Sequence, residues 1–567
     1  MNELRGRQRF NRFLFPVGLY LILFFFFSLH LLSRFSTHFY ADAGDGLQNV
    51  WNMWWVKQVV TELGRHPWRT EFLHYPGGTS LLGHTLNPFN GFIGILLQRF
   101  LTLVQAHNAI VVFSFVAGGW TAFLLCLELT GSYWGAVVGG SVFTFSSYHF
   151  MHAEGHLQLV SLEWLPLFLL FWHRFIERPS HGLAIGTSVT LFLVILCDYY
   201  YFLYAVLAGV FLLAWSRIKA SKNLLSELHS SHSGSSWVLF IAITFATSGV
   251  LIGALLHENR VDPMSGAHSA NDFSMDLLAP FVPSYHWRFH EWTAPIWTRW
   301  TGNGNETSVY LGWTALIVSA YGVWMLKRRE SSRRLQPWIW VGLVFFLLSL
   351  GPWLHISGHE FKFGIRFEIH DRAWHPLTLP YSYLGNLLPP LRLSGIPVRM
   401  MIMVQLSLAI LVSASIGALL EKKSKWKLSV LSLCCGLWAF ESYPKPLPIT
   451  EPVIPPYVKT LRDLPDGAVI DQVSSFTWAL YYQTVFQKKI SGGYISRVPA
   501  SVARQDATLS DLINTQQWGR IFCELGFSYL ITGNAGVIES VPVTRIPGGP
   551  GAWVLAKNAQ TCLGIVH

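Results

Sequence analysis

Long runs of Phe, Leu, Ile, Val and Trp, separated by short polar loops, recur from residue 13 to residue 441. They fall near 13–33, 107–129, 133–150, 157–176, 182–197, 199–216, 237–256, 308–326, 337–354, 397–420 and 427–441. Stretches of about 20 apolar residues match the ~30 Å hydrocarbon core of a bilayer. The pattern therefore predicts a polytopic α-helical membrane protein with eleven transmembrane helices.

Arg5, Arg7, Arg9 and Arg12 precede the first run, and the loops Arg217–Ser236, Lys327–Arg334 and Glu421–Lys427 are net basic. Basic flanks stay cytoplasmic, which places the N-terminus inside. Three segments then face outward: a first loop over 34–106, a long loop over 257–307 and a third over 355–396. The first run exceeds the ~15-residue core of a cleavable leader and reads as an anchor. Two further apolar stretches break the alternation if they span. Leu47–Leu63, with Trp51, Trp54 and Trp55 among Asn49, Asn52, Lys57 and Gln58, and Asn87–Val104 read as helices lying in the outer interface, because tryptophan favours the headgroup level. The turn-rich His74-Tyr75-Pro76-Gly77-Gly78 joins them.

The pattern changes at residue 442. Six prolines between Pro444 and Pro456 make a stiff linker, followed by about 110 residues of soluble character. Ala468-Val469-Ile470, Tyr529-Leu530-Ile531 and Trp553-Val554-Leu555 read as strands and Trp478–Phe486 as a helix. The expected organisation is a transmembrane domain over 1–441 and a linker plus small extracytoplasmic α/β domain over 442–567.

Composition sharpens this picture. At 51% hydrophobic and 13% charged residues, the chain cannot hide its apolar surface in one soluble core. The formal charge of +10 sits largely in loops that fix topology, and no basic stripe suits a duplex, so nucleic acid is not an expected partner. Cys126, Cys197, Cys434 and Cys435 lie in apolar runs, whereas Cys523 and Cys562 are able to pair, as an oxidising outer compartment would allow.

Candidate chemistry gathers in the outer segments. Asp42 and Asp45 share a loop with Gly44 and Gly46, which lets the backbone turn sharply enough for both carboxylates to face one point. Capping of the following helix is the structural alternative, with Asp45 its expected agent. His84, in the same outer loop, is a substrate-binding candidate. His152, Glu154 and His156 have the density of a divalent-cation site, although Mg²⁺ prefers oxygen ligands. The long loop carries Glu258, Arg260, Asp262, Asp272, Asp276 and Glu306; Arg260 and Glu306 lie nearest its membrane ends and are taken as substrate-binding. Arg392 and Arg399 bracket the outer start of the tenth run, where a planar guanidinium suits phosphate but also anchors to headgroups. No P-loop, dinucleotide fingerprint, CxxC pair or HExxH motif occurs.

The acidic loop after the first span, the two juxtamembrane stretches and the soluble C-terminal region together resemble the GT-C superfamily of integral membrane glycosyltransferases. Asp42-Ala-Gly-Asp45-Gly-Leu-Gln-Asn49, His74-Tyr75-Pro76-Gly77-Gly78, Glu306 before Tyr310-Leu311-Gly312, and Arg392 with Arg399 look like segments of uncharacterised bacterial members. The resemblance implies inverting transfer of a sugar from a polyprenyl-phosphate donor to a glycan, lipid or protein acceptor at the outer face of the bacterial inner membrane. In that reading Asp42 or Asp45 is the base. Arg260, Arg392, Arg399 or a divalent cation (Mg²⁺ or Mn²⁺) at Glu154 and its histidines takes the charge of the leaving phosphate. A transporter or flippase for a lipid-linked saccharide is the main alternative, but it predicts polar or broken helices at mid-membrane. A catalytically silent scaffold is the other.

Overall fold

The computed structural model describes residues 2–220, 231–266, 268–326, 334–366, 374–388, 391, 395–540, 543–558 and 561–562. Much of the basic loops Arg217–Ser236 and Lys327–Arg334, on which the orientation rests, lies outside these residues, as does Arg392.

Each of the eleven apolar runs falls on helix. Among the described residues five helical stretches are long and apolar enough to cross a membrane: Leu103–Thr130, Leu157–Glu177, Tyr199–Ile218, Ser233–Val261 and Pro397–Glu421. The third run is broken into helices Tyr133–Thr144 and Ser147–His152, because Ser146 accepts the His149 N–H at 3.4 Å and starts a new helix.

The chain divides into two compact units. The first comprises Met1–Ser33, Ala109–Val250 and His268–Leu447 and holds most of the apolar helices. Its tightest seam joins Tyr133–Thr144 to Met401–Glu421. A Cβ on Gly135 would stand 2.2 Å from the Ser413 carbonyl oxygen, and one on Gly139 2.8 Å from that of Ala409. Only glycine lets the backbones come so close.

The second unit comprises Arg34–Asn108, Leu251–Ala267 and Pro448–His567. Its four-stranded sheet has Phe527–Thr532 parallel to Ala468–Asp471 and antiparallel to Trp553–Ala556, which pairs with Thr544–Pro547. Met264–Gly266 pairs with Arg497–Pro499, so the start of the long outer loop also belongs here. Cys523 and Cys562 are joined by a disulfide, with Cα atoms 5.9 Å apart.

The surroundings of the Asp45–Lys57 helix correct the interfacial expectation. Trp51, Trp54 and Trp55 are not presented to headgroups: their exposures are 0%, 6% and 2%. They belong to a protein core with Val469, Leu480, Tyr481 and Ile531. Trp51 stacks on Trp55 and donates its indole N–H to Gln483 at 2.7 Å. A helix carrying three buried indoles needs a partner surface, and Phe476–Phe486 supplies one.

Candidate functional site

Two groups of polar side chains stand out, one in each unit. In the second unit the acidic loop runs from Tyr40 into the Asp45–Lys57 helix. Asp42 Oδ1 accepts the N–H groups of Gly44 and Gly46, both at 2.9 Å. The capping role therefore falls to Asp42, the opposite of the expectation. Asp45 is the first helical residue, and no side chain caps the helix from Gly44. A side chain at residue 46 would also collide, since its Cβ would lie 2.5 Å from that of Ala41.

Behind this loop His84 is buried in a neutral network. The Ser496 N–H donates to His84 Nδ1 at 3.1 Å, so that nitrogen carries no proton. Nε2–H then donates to Asn52 Oδ1 at 3.0 Å. Asn52 donates to the Thr85 carbonyl, and Gln48 to the Thr85 hydroxyl, each at 2.9 Å. Burial, reinforced by Arg497 and opposed by Asp45, pushes the imidazole down to about 3. His84, expected to bind substrate, thus ties the first loop to residues near 496. Arg260 is exposed on the last turn of the Val250–Val261 helix and has no ion-pair partner among the described residues.

In the first unit Glu306 and Arg399 form a buried pair. Arg399 Nε donates to both carboxylate oxygens, at 3.0 and 3.2 Å, and Nη2 makes a short contact with Oε1. The guanidinium lies over the Tyr200 ring, 4.8 Å from its centroid. Glu306 is placed by a one-turn helix, Gly304–Thr307, whose start is capped by Asn303. Burial pushes the Glu306 carboxyl upward, but Arg399 and His152 outweigh it and hold the group well below the usual carboxylate range.

His152 and His156 close this group. Their Nδ1 atoms are 3.1 Å apart, and His152 Nε2 is 3.9 Å from Glu306 Oε2. His152, fully buried, is held neutral chiefly by that burial, and its Nε2 has no hydrogen-bond partner. One ligand atom each from His152, His156 and Glu306 lies within 4.8 Å of the others. Glu154, expected in this set, instead faces Lys445 at 2.9 Å. Lys445 carried no signal in the sequence beyond its place among linker prolines. Asp276, among the acids of the long loop, accepts the N–H groups of Leu278 and Gly358 and is structural.

Residues 16–440 match the family described as Domain of unknown function (DUF6311). The chain belongs to the DUF6311 family. No curated protein matches it. Among solved structures, the DUF6311 chain is similar to a mutant of the arabinofuranosyltransferase AftD from Mycobacteria, with a TM-score of 0.57 and 14% identity over 96% of this chain. It spans 41% of AftD's length. Weaker likenesses are to ArnT from Cupriavidus metallidurans bound to undecaprenyl phosphate (TM-score 0.42, 10% identity, 97% of this chain and 98% of that one) and to the archaeal oligosaccharyltransferase AglB from Archaeoglobus fulgidus in complex with an inhibitory peptide and a dolichol-phosphate (0.44, 10%, 92% and 69%). The AftD match shows that this DUF6311 protein shares a fold with part of that chain.

Proposed function

We propose that this protein is an inverting glycosyltransferase that moves a sugar from a polyprenyl-phosphate donor to an acceptor on the extracytoplasmic face of the bacterial inner membrane. The observation that carries the reading is the acidic loop: two carboxylates three residues apart on a glycine-bearing turn at a helix start, within a fold similar to that of AftD. Many apolar helices suit a lipid-linked donor, whose chain needs shelter while its phosphosugar stays wet.

We assign the two acids different roles. Asp42 spends Oδ1 on two loop N–H groups, which stabilises its ionised form and weakens it as a base. Asp45 is assigned the proton of the acceptor hydroxyl as that oxygen attacks the anomeric carbon. Arg260 is assigned to the departing lipid phosphate, whereas the fork of Arg399 is already filled by Glu306. The Cys523–Cys562 disulfide supports an oxidising location for the C-terminal segment, and the arginines before the first run support a cytoplasmic N-terminus.

His152, His156 and Glu306 fit a borderline ion such as Mn²⁺ better than Mg²⁺, because two of the three donors are imidazoles. The unpartnered buried Nε2 of His152 supports that fit. A cation held there would supply positive charge towards a phosphate.

Purified protein supplied with polyprenyl-phosphate sugars of several kinds tests the proposal. Asp45→Asn should lower transfer by about 10²–10⁴, the usual contribution of a positioned base. Undiminished transfer by the Asp42→Asn/Asp45→Asn double variant would overturn it.

A further inference from the structure

The peptide group that enters Asp42 and the one that follows Ala43 are held by hydroxyls from the far end of the sequence. Thr450 Oγ1 donates to the Ala41 carbonyl at 2.8 Å across 409 residues, and Thr477 Oγ1 donates to the Ala43 carbonyl at 2.9 Å across 434. The same strip is fastened upstream, where the Phe39 N–H donates to the Thr450 carbonyl at 2.9 Å and the Thr450 N–H donates back at 3.0 Å. Tyr40 N–H donates to Asn108 Oδ1 at 2.8 Å. The carbonyls of both neighbours of Asp42, Ala41 and Ala43, are thereby pinned, which restrains the strip that carries its carboxylate and the path by which the chain enters the helix at Asp45. Gly44 adds little restraint of its own, so these outside contacts reinforce the two bonds that Asp42 makes within the turn.

We propose that Thr450 and Thr477 are positioning residues for the acidic loop, so that the segment after residue 448 is a working part of the transferase site and not an appended module. Both threonines lie beyond residue 440, where the family match ends. The proposal rests on the reading of the loop as the seat of the base. Its physical basis is that an error of about 1 Å in a reacting group costs on the order of 10²-fold in rate. Thr450 is 6% exposed, and its hydroxyl has the buried Ala41 carbonyl as partner, so valine at 450 deletes one hydrogen bond at nearly constant volume.

The test uses full-length protein carrying Thr450→Val, Thr477→Val, both together, or the two serine replacements. The double valine variant should lose about tenfold to a hundredfold in kcat with little change in KM for the lipid donor, and serine should restore most of it. Hydrogen exchange should quicken in the peptide covering residues 40–46 of the valine variants and remain slow in the serine ones. If the double valine protein does not fold, Thr477→Val, at a partly exposed site, gives the same readouts singly. Wild-type turnover and wild-type exchange in the valine variants, with Asp45→Asn inactive, would overturn the positioning role alone. Full turnover in the Asp42→Asn/Asp45→Asn protein would instead overturn the reading of the loop as catalytic.

Discussion

The two units bury polar groups by opposite means. In the first, Glu306 and Arg399 bury opposite charges against each other at 3% and 4% exposure, with an aromatic face under the guanidinium. In the second, His84 is equally buried, at 3%, yet its hydrogen-bond partners among the described residues are neutral amide, hydroxyl and backbone groups. An ion pair is strong only while both members are present, because either charge left alone in an apolar surrounding is very costly. A neutral network degrades more gently, one unsatisfied donor or acceptor at a time. The first arrangement is brittle and the second forgiving.

The sharpest way to break this contrast is Arg399→Ala. It strands a buried carboxylate and should cost about 3–5 kcal/mol, read as a large drop in thermal stability of the detergent-solubilised protein. Replacing Glu306 and Arg399 together by Leu and Met should recover much of that loss. A double variant as unstable as the single would show that the pair does more than cancel its own charges.

Asn52→Ala, which removes the acceptor of His84 Nε2–H, should cost only about 1–3 kcal/mol by the same measurement. A loss as large as that of Arg399→Ala would erase the distinction between the two networks.

Acidification separates them in a third way. The folded protein holds His84 down to about 3, below its ordinary 6.5, so its contribution to stability is complete above 6.5 and is lost as the pH falls towards 3. His152 shifts in the same direction. Glu306 is also depressed, but from 4.5, so its contribution is untouched until the pH drops below about that value. Melting curves should therefore fall between pH 7 and pH 5, and His84→Gln should flatten part of that slope while leaving the loss below pH 4.5.

The smallest expected effect concerns metal. Chelation should remove a bound transition ion, detectable by elemental analysis, and shift stability only modestly, because Arg399 already balances Glu306. His152→Ala should abolish retention of the ion. An ion that survives His152→Ala would place the metal elsewhere.

How far these features were legible depends on how local they are. Apolar period and length mark the helices, and the short apolar runs Ala468–Ile470, Tyr529–Ile531 and Trp553–Leu555 mark strands that do form. Cys523 and Cys562 were recognisable because the other cysteines sit in apolar runs. Partners were not legible. The indoles of the Asp45–Lys57 helix could be read as apolar, but whether lipid or protein covers them depends on the Phe476–Phe486 helix. Glu306 and Arg399 were each singled out, yet nothing local says that two residues 93 apart neutralise one another. In the sequence Asp45 is the better placed cap, because no helix follows Asp42 directly, whereas the Asp42 carboxylate reaches forward to the N–H groups of Gly44 and Gly46.

The buried tryptophan core also sets a timetable. Trp51 meets Gln483 across 432 residues, which a ribosome adding about 5–20 residues per second covers in roughly 20 to 90 s. Throughout that interval three indoles and their apolar neighbours have been made without the helix that will cover them. Whatever receives the nascent chain must shield that sticky surface for the better part of a minute, so biogenesis should depend on a holding factor far more than the finished fold does.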